Sequence, residues 1–209
     1  MAAPDTFVAL AAQLAEVGRL AYARGWALGT SGNFSAVVAR APLTLAITPS
    51  GVDKGLLEPG DIVEIDAEGA IRRGSGKPSA ETAIHVAVAR TTGAGAVLHT
   101  HSIWSTILSA RADGALALEG YEMLKGLGTV KTHEHRETLP IIANTQDWHA
   151  AAPAVAALLD ANPAAHGFLI RGHGLYTWGR DLPEARRHLE ILEFLLEVMG
   201  RKRGTSWPQ

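Results

Sequence analysis

The stretch Ala94-Gly-Ala-Val-Leu-His-Thr-His-Ser102 decides how this chain is to be read. A short apolar run, Ala96-Val97-Leu98, delivers two histidines two residues apart, His99 and His101. On a strand, residues i and i+2 project from one face, so the two imidazoles can share an ion. On a helix they stand about 200° apart and cannot chelate. A strand here makes a metal hypothesis, and the rest of the chain must then supply a third ligand, a base and a hold on a substrate. By itself the pair leaves open two ordinary, hydrogen-bonded histidines.

Composition narrows what the remainder can offer. The chain has 209 residues, 47% hydrophobic and 19% charged, with a net charge of −2, which suits one domain with a real core and no nucleic-acid or membrane partner. There is no cysteine, so disulfides and thiolate ligands are excluded, and metal binding falls to carboxylates and the nine histidines. The apolar runs fall well short of the roughly 18 residues of a membrane span. Met-Ala-Ala-Pro-Asp opens the chain without a cationic-then-apolar leader, so a cytoplasmic location is expected.

Outward from the pair, helical periodicity covers residues 5–24, with Asp5 as N-cap and Gly25 as stop signal. Strands are expected at about 34–39, 43–48 and 62–65, with a short one at 70–71. Ser79 is expected to open a helix over about 80–91, and Ser102 another to about Ala110. Residues 119–125 read as a short helix, 139–143 as a strand and 148–159 as a helix. A buried strand follows at 167–170 and another at 175–178. Pro183 starts a last helix to about Met199, and the final ten residues read as a loose tail. No repeat or long linker divides the chain. The pattern is a single α/β or α+β domain, residues 1–209 with a core over about 8–200, in which helices cover a central mixed sheet.

His173 strengthens the metal hypothesis. It sits between Gly172 and Gly174 directly after Phe168-Leu169-Ile170, where the backbone can turn and aim the ring inward. Three histidines are the protein share of a catalytic zinc site with one open position. A competing pair, His133-Glu134-His135, lies among Lys131, Arg136 and Glu137, a solvated setting that repels a cation. His85, His149, His166 and His188 read as surface residues. Glu81 begins a helix, where a carboxylate suits the dipole. Glu122 reads as a solvent-facing partner of Lys125. The turns at Ser31-Gly32-Asn33 and Ser50-Gly51 can bring backbone N–H groups close to an oxyanion.

Five segments taken in order carry more than any one of them. Gly29-Thr-Ser-Gly-Asn-Phe-Ser35, Thr48-Pro-Ser-Gly51, Lys77-Pro-Ser-Ala-Glu81, His99-Thr-His101 and Gly172-His-Gly174 resemble the class II aldolase/adducin family. The resemblance implies a three-layer α/β/α sandwich with a mostly antiparallel sheet. It implies Zn2+ on His99, His101 and His173, and a phosphate pocket from Ser31, Gly32, Asn33, Ser50 and Gly51 with Ser79 nearby. It also implies a homo-tetramer with active sites between subunits and a phosphorylated sugar as substrate. Tyr121-Glu-Met-Leu-Lys-Gly126 and Arg171-Gly-His-Gly-Leu-Tyr-Thr-Trp-Gly179 resemble a dehydratase branch of that family. In that branch the acid/base matches Glu122, and the reaction dehydrates a methylthio-ketose 1-phosphate in methionine salvage. In the aldolases and 4-epimerases the acid/base matches Glu81, and this chain has both. Glutamate at position 81 is a departure from the eukaryotic dehydratases of the branch, for which the resemblance implies cysteine there. An adducin-type module without enzymatic activity is a third reading, which the three retained histidines oppose.

Overall fold

The computed structural model describes residues 5–204. The chain runs α1 (Thr6–Ala23), β1 (Asn33–Arg40), β2 (Leu43–Ile47), β3 (Val63–Asp66), β4 (Ile71–Arg73), α2 (Thr82–Thr92), β5 (Ala96–Thr100) and α3 (Ile103–Arg111). It continues through β6 (Ala115–Glu119), β7 (Arg136–Ile142), α4 (Trp148–Ala161), β8 (Gly167–Ile170), β9 (Gly174–Gly179) and α5 (Leu182–Gly204). The expected caps form: Asp5 accepts the amide of Phe7 at 3.0 Å, and Ser102 that of Ser105 at 3.1 Å.

The strands make one nine-stranded sheet in the order β4-β3-β2-β1-β5-β9-β8-β7-β6. All neighbours are antiparallel except β7 and β8, which α4 connects across the sheet. Side-chain alternation sorts the helices into layers. Ala96 and Leu98 of β5 pack into one core with Leu14 of α1, Leu108 of α3 and Leu192 of α5. Val97 between them joins Ile84 of α2 and Val155 of α4 on the other face. The result is the three-layer sandwich. Alternation then puts His99 on the α2/α4 side and Thr100 on the α5 side, where its hydroxyl bonds Glu193 at 2.5 Å.

Strand direction matters more for function than strand count. β2, β5, β7 and β8 run the same way, and β1, β6 and β9 run against them. The ends of β2, β5, β7 and β8 therefore share one edge of the sheet with the starts of β1 and β9. The end of β6 lies at the opposite edge, where Glu119 pairs with Arg136 at the start of β7.

Three expectations change. The segment expected as a helix at 119–125 is the end of β6 followed by a 3-10 turn at Glu122–Gly126, because Ala115–Glu119 alternates and pairs with β7. The last helix runs to Gly204, past both its expected end and the start of the expected tail; residues 205–209 lie outside the described residues. The helix expected from Ala80 starts at Thr82, because Ser79 makes a local turn, its hydroxyl taking the amide of Glu81 at 3.2 Å and its carbonyl the Thr82 hydroxyl at 2.7 Å.

Candidate metal centre

The three histidines converge. His99 is the penultimate residue of β5, His101 lies just past its end, and His173 sits in the tight turn between β8 and β9. Gly174 permits the approach, since a Cβ there would lie 2.0 Å from the carbonyl oxygen of Thr100. The Nε2 atoms stand 2.8 Å (His99–His101), 2.9 Å (His101–His173) and 3.3 Å (His99–His173) apart. Nitrogens on a tetrahedral zinc, with bonds of about 2.0–2.1 Å, are set roughly 3.3 Å apart.

The tautomers of His99 and His173 follow from their outer hydrogen bonds. His99 Nδ1 is 2.9 Å from the carbonyl oxygen of Leu175, which can only accept, so Nδ1 carries the proton and Nε2 is bare. His173 Nδ1 makes the same kind of contact with Asn144 Oδ1 at 3.2 Å. Bare nitrogens pointed at one another repel unless a cation lies between them. Burial pushes the pKa of His99 well below the usual imidazole value, with the His173 charge adding to it. His101 falls to about 3, by burial first and then through its two neighbours. All three favour the neutral form that binds metal.

Glu81 completes the cluster: its carboxylate and the three rings offer ligand atoms all within 4.8 Å of one another. Oε2 is 3.2 Å from His99 Nε2, and Oε1 is 3.4 Å from His173 Nε2. The helix-dipole reading of Glu81 misses this, because the carboxylate makes no capping bond. Instead Oε2 accepts from Asn33 Nδ2 at 2.7 Å and from the Tyr176 hydroxyl at 3.0 Å. The Tyr176 ring also stacks on His99 at 4.1 Å between centroids.

The glycine turns lie beside this cluster. Asn33 is opposite His99 across β1 and β5, and a Cβ on Gly32 would sit 2.8 Å from the carbonyl oxygen of His99. Ser79 accepts from Asn33 Nδ2 at 3.0 Å. The Ser50 turn is tied to the same loop, its amide bonding the Lys77 carbonyl oxygen at 2.8 Å.

Glu122 is placed elsewhere. Its side chain is 72% exposed and pairs with Lys125 at 2.6 Å, on the turn that follows β6 at the far edge of the sheet. The seven residues of β7 separate the two edges, roughly 20 Å at about 3.3 Å per residue. Within one chain, Glu81 and not Glu122 meets the histidines.

Three buried residues escaped the sequence reading. His85 is fully buried rather than on the surface: it bonds Ser35 Oγ at 2.7 Å and Asn33 Oδ1 through Nε2, which fixes the Asn33 amide with Nδ2 toward Glu81. Its position one helical turn after Glu81, on the same face of α2, was the available signal. Lys54 is buried as well, behind both glycine turns. His188 is also buried, accepting from the Gly128 amide at 2.9 Å, so it too leaves the surface group. His149 is exposed as expected.

Residues 12–199 match the family described as class II aldolase and adducin N-terminal domain. The chain belongs to that family. It is 45% identical over 205 residues to the methylthioribulose-1-phosphate dehydratase of Sorangium cellulosum, covering 96% of each protein. It is 44% identical to the protein of that name from Methylococcus capsulatus, covering 96% of this chain and 97% of that one. Among solved structures, the L-fuculose-1-phosphate aldolase of Thermus thermophilus superposes with a TM-score of 0.72 at 30% identity, covering 93% of this chain and 94% of that one.

Proposed function

We propose that this protein is a zinc-dependent methylthioribulose-1-phosphate dehydratase of methionine salvage. The carrying observation is the end-to-end likeness to relatives of that name, 96% of both chains at 45% identity. The substrate is a 2-ketose 1-phosphate with hydroxyls on C3 and C4. His99, His101 and His173 hold the ion, with Glu81 within ligand distance of the same point. Bound there, zinc supplies Lewis-acid polarisation of a carbonyl oxygen. Ser31, Gly32, Asn33, Ser50, Gly51 and Ser79 fix the phosphate, which orients C3 without joining the chemistry.

Glu122 takes the C3 proton, which is acidic because it is α to the C2 carbonyl, and returns a proton to the C4 hydroxyl as it leaves. One proton and one hydroxide depart as water, and the enol ketonises to 2,3-diketo-5-methylthiopentyl 1-phosphate. Since Glu122 of the same chain is at the far edge of the sheet, this role belongs to Glu122 of a neighbouring subunit in a tetramer. Cytoplasmic residence belongs to the same reading; among the described residues no helix is long and apolar enough to cross a membrane.

The test is a dehydration assay on 5-methylthioribulose 1-phosphate with and without a chelator. Diketone formation that stops on chelation supports the proposal, and absence of diketone from the metal-loaded protein overturns it. The second reading is an aldolase or 4-epimerase with Glu81 as base, favoured by the carboxylate among the histidines. Retro-aldol cleavage of fuculose or rhamnulose 1-phosphate without diketone selects it.

A further inference from the structure

Lys54 stands in a 3-10 turn, Lys54–Leu56, with about 1% of its surface exposed. Among the described residues no carboxylate forms an ion pair with it. Its ammonium donates to two carbonyl oxygens, Thr30 at 3.1 Å and Val52 at 2.9 Å. One belongs to the turn that precedes β1, the other to the loop that follows β2. A buried, unpaired lysine is costly. Burial lowers its pKa to about 8, with the Asp53 carboxylate pulling the other way.

The two segments it bridges are left with unspent donors. The amides of Gly32 and Gly51 and the hydroxyls of Ser31 and Ser50 make no hydrogen bond among the described residues. Thr30, Gly32 and Gly51 all have positive φ, at 65°, 72° and 77°. The residues that resemblance assigns to phosphate carry no charge, and the carboxylate of Glu81 lies beside them on Asn33. A phosphate dianion placed there feels that negative charge and needs a cation to offset it. Lys77, in the facing loop, is exposed and screened by solvent. Lys54 is not.

We propose that Lys54 is the positioning cation of the anion pocket: from behind the two glycine turns it locks their carbonyls inward and supplies the fixed positive charge that holds a phosphate group against them. This rests on the turns being the phosphate pocket, but not on the dehydration itself.

The experiment is titration with inorganic phosphate, followed by calorimetry, on the metal-loaded protein. Lys54→Met keeps the aliphatic stem and removes the charge. It should bind phosphate at least about tenfold more weakly, equivalent to roughly 1.4 kcal/mol, with metal content unchanged. Lys54→Arg should recover most of the affinity, which a purely space-filling role would not require, and Lys77→Met should lose less than Lys54→Met. Wild-type affinity in Lys54→Met, or a loss confined to Lys77→Met, overturns the assignment. No phosphate binding by the unaltered protein overturns the pocket and Lys54 with it, whatever the dehydration assay shows. Should Lys54→Met fail to fold, 15N-lysine spectra of the unaltered protein answer the same question. A buried ammonium signal that moves and saturates with phosphate supports the proposal, and an unmoved one overturns it.

Discussion

The chain contains two H-x-H pairs, and the fold treats them oppositely. His99 and His101 close a central strand, with His173 brought to them from the β8–β9 turn. His133 and His135 lie in the loop before β7 at the other edge, where His133 is 3.8 Å from Glu122 and His135 bonds Glu137 at 2.9 Å. Spacing is identical, so spacing is not what makes a metal site. What sets the first pair apart is a third imidazole within reach, the burial of His99, and the bond from His99 Nδ1 to the Leu175 carbonyl oxygen that fixes its tautomer.

A buried glutamate stands near each pair, and the two are shifted in opposite directions. Burial pushes Glu193, near the first pair, up to about 7, with the Ser102 and Thr100 hydroxyls pulling only part of the way back. Burial also pushes Glu137 upward, but bonds from His166 and His135 outweigh it and hold the carboxyl below its usual value. Neutral hydroxyls do not sustain a buried negative charge, whereas an imidazole that can protonate does.

The largest effect expected from breaking this contrast is in metal content. His173→Ala or His99→Ala should lose most bound zinc by elemental analysis, while the His133→Ala, His135→Ala double variant keeps it. Full zinc in His173→Ala removes that residue from the site.

Glu122→Gln should keep its metal and lose about 10²–10⁴-fold in turnover, the usual worth of a positioned base. Mixed oligomers of Glu122→Gln and His173→Ala chains should regain part of the activity, because a neighbour's Glu122 then meets an intact histidine cluster. Mixtures as inactive as their parents rule out a shared site.

Next in size is the pH dependence of stability. The folded pKa of Glu193 lies above its unfolded value of 4.5. Its contribution is therefore fully present below pH 4.5 and lost as pH rises through about 7. In Glu193→Gln that decline, roughly 3 kcal/mol at most for such a shift, should vanish from urea melts. Glu137 runs the other way: its contribution is present above its unfolded value of 4.5 and lost as pH falls through the lower folded value. Glu137→Gln should flatten the acid limb of the same curve. Identical profiles for the two variants contradict the contrast.

The smallest effect is His133→Ala alone, which should shift stability by less than about 0.5 kcal/mol, as exposed substitutions do.

Local pattern carried much of this site into view. The apolar run before His99 and the one before His173 read directly as strands, and the glycines around His173 as its turn. Asp5 and Ser102 capped the helices expected of them. The failures are of a different kind. Ala115–Glu119 has its partner in β7, and pairing across a polar loop leaves little trace in a five-residue window. Glu81 looked like a dipole residue because its actual partners, Asn33 and Tyr176, are 48 and 95 residues away. His85 read as a surface residue and Lys54 stood out in no motif, because polar side chains are usually exposed and what buries these two is assembled from distant segments. Family likeness named the histidines and both glutamates; strand direction separated the glutamates by the width of a sheet.

The 74-residue separation of His99 and His173 has a consequence for synthesis. A ribosome that has made His101 has already made Glu81 and His99, long before the third ring exists. On the proposed zinc reading, an ion bound before β9 inserts between β5 and β8 lacks its third imidazole, so tight retention would mark the joining of the two halves of the sheet. Metal retention would then report on assembly, and a chain truncated before residue 173 should give up its ion more readily than the full one.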